Sequence, residues 1–227
     1  GILVNQLEQY HVDIAHISPS HHFPTGIIMP ISRRYELLGW ANKDENRYII
    51  EDDYDSELRL NGKPIPALQS IDLSEKVIYM NTFTKTLSST IRISYMVLPH
   101  HLLELYNKKL SFYACTVSNF EQYTLAYFIS NHYFDKHITK LRNYYHNKRD
   151  KIVGMLEKSH LKECIKISKE DAGLHFLITI KTHLSDETLM NKLKEQGIRL
   201  MPISHYYLKY QPHKSHTFVI NYSSIDI

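Results

Sequence analysis

Lys85 lies among hydroxyl residues in Thr82-Phe83-Thr84-Lys85-Thr86-Leu87-Ser88-Ser89, directly after an apolar run. A lysine desolvated at a strand end can give up its proton and attack a carbonyl as an amine nucleophile. A second stretch, Glu51-Asp52-Asp53-Tyr54-Asp55-Ser56-Glu57, sets acidic groups after another apolar run. The carboxyl ends of strands are where open α/β sheets bind their ligands. Taken separately, each stretch also reads as a solvated loop, since acidic strand ends and lysines after strands commonly face water. The fifteen histidines suggest no metal site. The neighbours His21-His22 and His100-His101 would diverge on a helix or strand, and no His-x-x-x-His pair stands beside an acidic partner.

These residues need strands to carry them. Val12–Ile17 reads as a short apolar strand, closed by Ser18-Pro19 and the turn Pro24-Thr25-Gly26. A helix over Ser32–Ala41 follows Pro30, which is tolerated in a first turn. Arg47–Asp52, Val77–Phe83 and Ile91–Leu98 read as further strands. Apolar strands spaced in this way predict a sheet covered on both faces by helices. From Leu102 to about Ser159 the pattern turns helical. Tyr133, Phe134, Ile138, Leu141, Tyr145 and Ile152 fall at the spacing of one long amphipathic helix. Strands at Ile165–Ile167 and Leu174–Ile180 come next, then a helix over Asp186–Gln196 with Gly197 placed for its C-terminal cap, then strands at Ile198–Met201 and Thr217–Asn221. The domain division expected is 1–110, a helical bridge 111–159, and a small α+β unit 160–227.

Composition removes several classes of function. The chain has 227 residues, 43% of them hydrophobic and 22% charged, with a formal net charge of +3. That is the balance of an ordinary globular protein, and no apolar run is long enough to span a bilayer. Gly1–Glu8 lacks the basic and apolar regions of a signal peptide, which leads to the expectation of a cytoplasmic protein without membrane partners. Cys115 and Cys164 are far apart in sequence and have no second pair, so neither a zinc site nor a disulfide scaffold is expected. The densest basic run, Lys136 to Lys151, reads as a solvated helix face rather than a DNA-reading stripe.

Taken together, Asp-x-Tyr at Asp52 and Tyr54, Thr-x-x-Lys at Thr82 and Lys85, and then Arg92 are similar to the pyridoxal-phosphate site of fold-type I aminotransferases. The surrounding phrases narrow the resemblance. Ser18-Pro19-Ser20-His21-His22-Phe23-Pro24-Thr25-Gly26, Ile50–Glu57, Pro66-Ala67-Leu68-Gln69-Ser70 and Val77–Lys85 resemble the MocR/GabR family. That family joins a winged helix-turn-helix of the GntR type to an aminotransferase-like domain. The resemblance implies an α/β fold: part of a fold-type I large domain, with a mostly parallel sheet flanked by helices, followed by a smaller α+β domain. It makes Lys85 the Schiff-base lysine, Asp52 the carboxylate on the pyridinium nitrogen, Tyr54 the phenol on the ring 3′-oxygen, Thr82 a phosphate hydroxyl and Arg92 the phosphate arginine. His21 or His22 stands in the stretch that reaches the ring face or that same oxygen.

Two departures shape the expectation. The stretch before the Pro-Thr-Gly turn is shorter than in a complete fold-type I domain, so the chain reads as a C-terminal portion of such a regulator, with a weakened or absent hold on pyridoxal phosphate. In addition, His205 in Ser204-His205-Tyr206-Tyr207-Leu208 stands where the GABA-responsive member carries an arginine for the effector's carboxylate. A neutral imidazole is a poor carboxylate partner, which argues against a GABA-like effector. The function implied is that of an effector-sensing domain: pyridoxal phosphate held by a lysine imine, an amino-compound as effector, a homodimer, and promoter DNA bound through a segment upstream, without full catalytic turnover. A true aminotransferase and a cofactor-free dimerisation module are the alternatives.

Overall fold

The computed structural model describes residues 2–62, 65–168, 173–208 and 215–226. It divides into two compact units. The first comprises Gly1–His22, Ile27–Glu57 and Lys63–Leu141, and the second Phe23–Gly26, Leu58–Gly62 and Arg142–Ile227.

The first unit opens with α1 (Val4–Gln9), a short helix that the sequence pattern did not predict. Strands β1 (Ile14–Ile17), β2 (Tyr48–Asp52) and β3 (Val77–Thr82) run parallel, and β4 (Ser94–Val97) pairs antiparallel with β3. Among the described residues this gives a four-stranded sheet in the order β1-β2-β3-β4. Helix α2 (Ile31–Ala41) connects β1 to β2, and the single turn α3 (Leu68–Ile71) precedes β3. Pro30 caps α2 in an extended conformation, where its missing N–H costs nothing. The face of α2 carrying Leu37, Leu38, Trp40 and Ala41 packs with Ala15, Ile17, Ile49, Leu68 and Val77 in one apolar cluster. Each large side chain closed off in this way contributes on the order of 2 kcal/mol.

Burial alternates along β1 and β2. Ala15, Ile17, Ile49 and Glu51 are buried, whereas Ile14 and His16 are exposed and Tyr48, Ile50 and Asp52 are only partly covered. All four residues of β4 are exposed. The sheet is flanked by helices as expected, its more closed face being the one that meets α2, while α4 (His100–Leu110) and α5 (Asn119–Ser130) contain no buried residue. The region read as helical holds three helices. The longest, α6 (Tyr133–Lys158), is the amphipathic one, and the boundary between the two units falls inside it. Ser118 starts α5 by accepting the Glu121 N–H at 3.2 Å and donating to the Glu121 carboxylate at 2.9 Å.

In the second unit, β5 (Ile165–Ser168), β6 (His175–Ile180), β7 (Met201–Pro202) and β8 (Thr217–Asn221) form an antiparallel sheet in the order β5-β6-β8-β7. Phe176, Ile178, Ile152 and Tyr222 make its core, and the Tyr222 hydroxyl donates to the Gly173 carbonyl at 2.6 Å. Helix α7 (Asp186–Glu195) is capped by Ser185, which accepts the Thr188 N–H. It ends in a Schellman motif: Gly197 N–H donates to Lys194 O, and Ile198 N–H to Leu193 O, with Gly197 at φ +78°. That cap uses the amide of Ile198, and the strand expected over Ile198–Met201 is found at Met201–Pro202.

Candidate functional site

Because β1, β2 and β3 are parallel, their carboxyl ends meet at one edge of the sheet. The antiparallel β4 starts from that same edge, with Thr82 opposite Ser94. Asp52 is the last residue of β2 and Thr82 the last of β3. Lys85 and Arg92 both lie on the loop that joins β3 to β4. Asp52, Tyr54, Thr82, Lys85 and Arg92, distant in sequence, thus share one edge of the first unit. His205 belongs to the second unit, exposed on the single 3-10 turn Ile203–Tyr206.

The β3–β4 loop is held by its own backbone. Phe83 N–H donates to Ile93 O at 3.0 Å, Leu87 N–H to Phe83 O at 2.9 Å and Ile91 N–H to Ser88 O at 3.0 Å. The Thr82 hydroxyl is 3.2 Å from Ile93 O and 2.9 Å from the Thr84 hydroxyl, and His137 Nε2–H donates to Thr86 O at 2.8 Å. On this fixed loop Lys85 and Arg92 are exposed, and among the described residues neither makes a hydrogen bond or ion pair. Asp52 lies on the more open face of the sheet, its side chain 38% exposed, with His16 Nε2 at 3.5 Å.

The rest of the acidic stretch is not the solvated loop that composition suggests. Glu51, Asp53 and Asp55 are buried on alternate positions, each with its own partners. Glu51 accepts the Leu68 and Gln69 N–H groups at 2.9 and 3.0 Å, with the Arg34 guanidinium 3.8 Å away. Arg34 in turn donates to the carbonyls of Pro19, Met29 and Pro66. Asp53 accepts from the Ser56 and Tyr79 hydroxyls at 2.8 and 2.9 Å. Asp55 meets the His21 ring at 2.9 Å, both side chains at most 4% exposed. Tyr54 donates its hydroxyl to the His21 carbonyl at 2.7 Å.

Burial sets the electrostatics. It raises the Glu51 and Glu57 carboxyls above their ordinary values, against the hydrogen bonds each accepts. It raises Asp55 as well, opposed by the His21 hydrogen bond and charge and, more weakly, by the Lys85 charge. The Tyr54 and Tyr79 phenols are pushed well up, first by burial and then by the surrounding carboxylates, so both keep their protons. Sequence reasoning missed the His21–Asp55 pair and the Asp53–Tyr79 bond. Local periodicity offered no signal for either, since Asp53 and Asp55 lie beyond the end of β2.

The donor set fits pyridoxal phosphate. It offers a carboxylate for a pyridinium proton, an unengaged amine for an aldehyde, and an unengaged guanidinium for phosphate oxygens, all at one strand edge.

A family model for aminotransferases of class I and II matches residues 6–222. The uncharacterized HTH-type transcriptional regulator YdeL of Bacillus subtilis is 39% identical over 215 residues, covering 95% of this chain and 46% of that protein. The probable rhizopine catabolism regulatory protein MocR of Rhizobium meliloti is 34% identical over 210 residues, covering 92% of this chain and 42% of that protein. The likeness to MocR-type regulators expected from the sequence is therefore present. A kynurenine aminotransferase of Pyrococcus horikoshii superposes with a TM-score of 0.82 at 26% identity, over 98% of this chain and 55% of that one. The chain spans about half the length of the curated relatives it matches.

Proposed function

The chain belongs to the aminotransferase class I and II family, and from that footing we propose that it is the effector-sensing domain of a MocR-type transcription regulator that holds pyridoxal phosphate. The observation that carries the reading is the pair of cations, Lys85 and Arg92, exposed on the β3–β4 loop at the sheet edge where Asp52 ends β2. Pyridoxal phosphate, when bound, supplies an aldehyde that condenses with amines and an electron-poor ring. Lys85 would supply the attaching amine. Asp52 would hold the proton of the ring nitrogen, which its position on the open face of the sheet allows. Arg92 would meet the phosphate with its planar fork, and Thr82 would steady the loop and add a hydroxyl there. Tyr54 would stand at the ring oxygen. His205 would face the effector's carboxylate, with the weaker grip of an imidazole.

The preference for a regulator over an enzyme rests on the relatives. HTH-type regulators are 39% and 37% identical to this chain, and an aromatic-amino-acid aminotransferase of Thermococcus litoralis is 29% identical. Promoter DNA would be bound by a part of the protein outside these residues, and a second copy of the chain would complete the assembly. The test is a visible absorbance titration of the full-length protein with pyridoxal phosphate. Lys85→Ala should abolish the absorbance of the lysine-bound cofactor, and an unchanged band would assign the attachment to another amine. Multiple turnovers with an amino donor and an oxo-acid acceptor would favour an aminotransferase instead.

A further inference from the structure

The start of α6 lies against the loop that carries Lys85. The Phe134 and Phe83 rings meet edge to face with centroids 5.8 Å apart, and His137 Nε2 lies 2.8 Å from the Thr86 carbonyl. A carbonyl oxygen only accepts, so Nε2 carries a hydrogen and donates it. The same imidazole packs on the Phe128 ring of α5, with centroids 6.4 Å apart. Thr86 is 1% exposed, whereas Lys85 beside it is open to water. The turn between them closes through Leu87 N–H, which donates to Phe83 O at 2.9 Å. All of these residues belong to the first unit. The inner side of the turn is thus fastened to α6, and its lysine is left outside.

We propose that His137 is a positioning residue for the Lys85 amine: it ties the Thr86 carbonyl to α6, and with it the stretch of backbone from which Lys85 projects. The proposal rests on the pyridoxal-phosphate reading above for the task of Lys85, and on geometry alone for the contact. A lysine amine sits on a long flexible stem, and its reaction with an aldehyde needs the nitrogen to reach one carbon from one direction. Fixing the backbone at the root of that stem narrows the space the amine explores. Arg92 is held by other bonds. Phe83 N–H donates to Ile93 O at 3.0 Å and Ile91 N–H to Ser88 O at 3.0 Å, on either side of it. Loss of the His137 bond should therefore be felt at the amine more than at the guanidinium.

The experiment compares wild type, His137→Ala and His137→Gln in the full-length protein. The Gln amide keeps an N–H donor on a side chain of similar reach. The two probes are pyridoxal phosphate and pyridoxine phosphate, whose alcohol in place of the aldehyde cannot bond to Lys85. His137→Ala should weaken pyridoxal phosphate about threefold to tenfold, the scale of one hydrogen bond, and leave pyridoxine phosphate within about twofold of wild type. His137→Gln should recover most of the loss. Equal weakening of both probes, or a Gln variant no better than Ala, would overturn the proposal, since His137 would then support the fold and not the lysine. Amide hydrogen exchange of the cofactor-free protein gives a reading that needs no ligand. The Leu87 amide should exchange about threefold to tenfold faster in His137→Ala than in wild type or His137→Gln, while the Ile49 amide of β2 stays as it was. An unchanged Leu87 amide would overturn the fastening. If the wild type binds no pyridoxal phosphate, the cofactor reading fails, and the exchange result alone decides whether His137 holds this loop.

Discussion

At the scale of single residues, the acidic stretch separates into two roles by the direction each carboxylate faces. Asp52 stays on the open side of the sheet, while Glu51, Asp53 and Asp55 turn inward to fixed partners. On the proposed reading, Asp52→Asn would replace a charged partner of the ring nitrogen with a neutral one. It should weaken pyridoxal-phosphate binding by about 1–3 kcal/mol, tenfold or more at the upper end. Titration of the variant checks this, and wild-type affinity would move the role to another carboxylate. Glu57 gives a pH prediction. Burial raises its carboxyl, ahead of the lowering effects of the hydrogen bonds it accepts, one of them from Asn81. A carboxyl raised by folding keeps its proton to higher pH in the folded chain than in the unfolded one. Its favourable contribution is thus present in acid and is lost as pH rises through the raised value. Glu57→Gln cannot ionise and still offers Asn81 an acceptor. It should be more stable than wild type at neutral pH, with the advantage gone near pH ~4, where ordinary carboxyls take up protons. Urea unfolding at the two pH values is the measurement, and an equal difference at both would refute the assignment.

At the scale of elements, the site depends on loops that a single buried arginine ties together. Arg34, on the inner face of α2, donates to the carbonyls of Pro19 after β1, Met29 before α2 and Pro66 before α3, and lies 3.8 Å from Glu51 at the end of β2. Arg34→Met keeps much of the volume but strands a buried carboxylate and three carbonyls. Removing one partner of such a buried pair costs about 3–5 kcal/mol. Thermal and urea unfolding should show a loss of that size, and the simultaneous change Arg34→Met with Glu51→Gln should recover part of it. A loss below about 1 kcal/mol would mean that the loops are held by other contacts.

At the scale of the whole molecule, the first unit carries apolar surface that stays open among the described residues. Phe120 and Tyr123 on α5 are 80% and 76% exposed, and Tyr95, Met96 and Val97 of β4 are also open. Large apolar side chains exposed to this degree on one helix mark a surface for contact with other protein. The isolated chain should self-associate in a concentration-dependent way, and Phe120→Ser with Tyr123→Ser should shift it toward monomer. Light scattering across a concentration series tests this, and a wild-type monomer at every concentration would contradict it.

Much of this protein was legible before folding was considered. The family phrases, the strand end at Asp52, the strand from Val77, the Gly197 cap and the long helix α6 are local patterns, set by side-chain period, backbone freedom and the chemistry of neighbours in sequence. Lys85 and Asp52 are singled out through the family resemblance, and the structure sets Asp52 at the end of β2 and Lys85 on the loop after β3. Tertiary structure decided the rest. Glu51, Asp53 and Asp55 look like solvated acids in the sequence, and only their partners from distant segments, Arg34 with the Leu68 and Gln69 amides, Tyr79 and His21, show that they are closed off. His21 and Asp55 are far apart in the chain, and no local pattern says that a histidine after β1 will meet an aspartate after β2. That contact arises because parallel strands bring their carboxyl ends to one edge, and burial then leaves each group no better partner than the other.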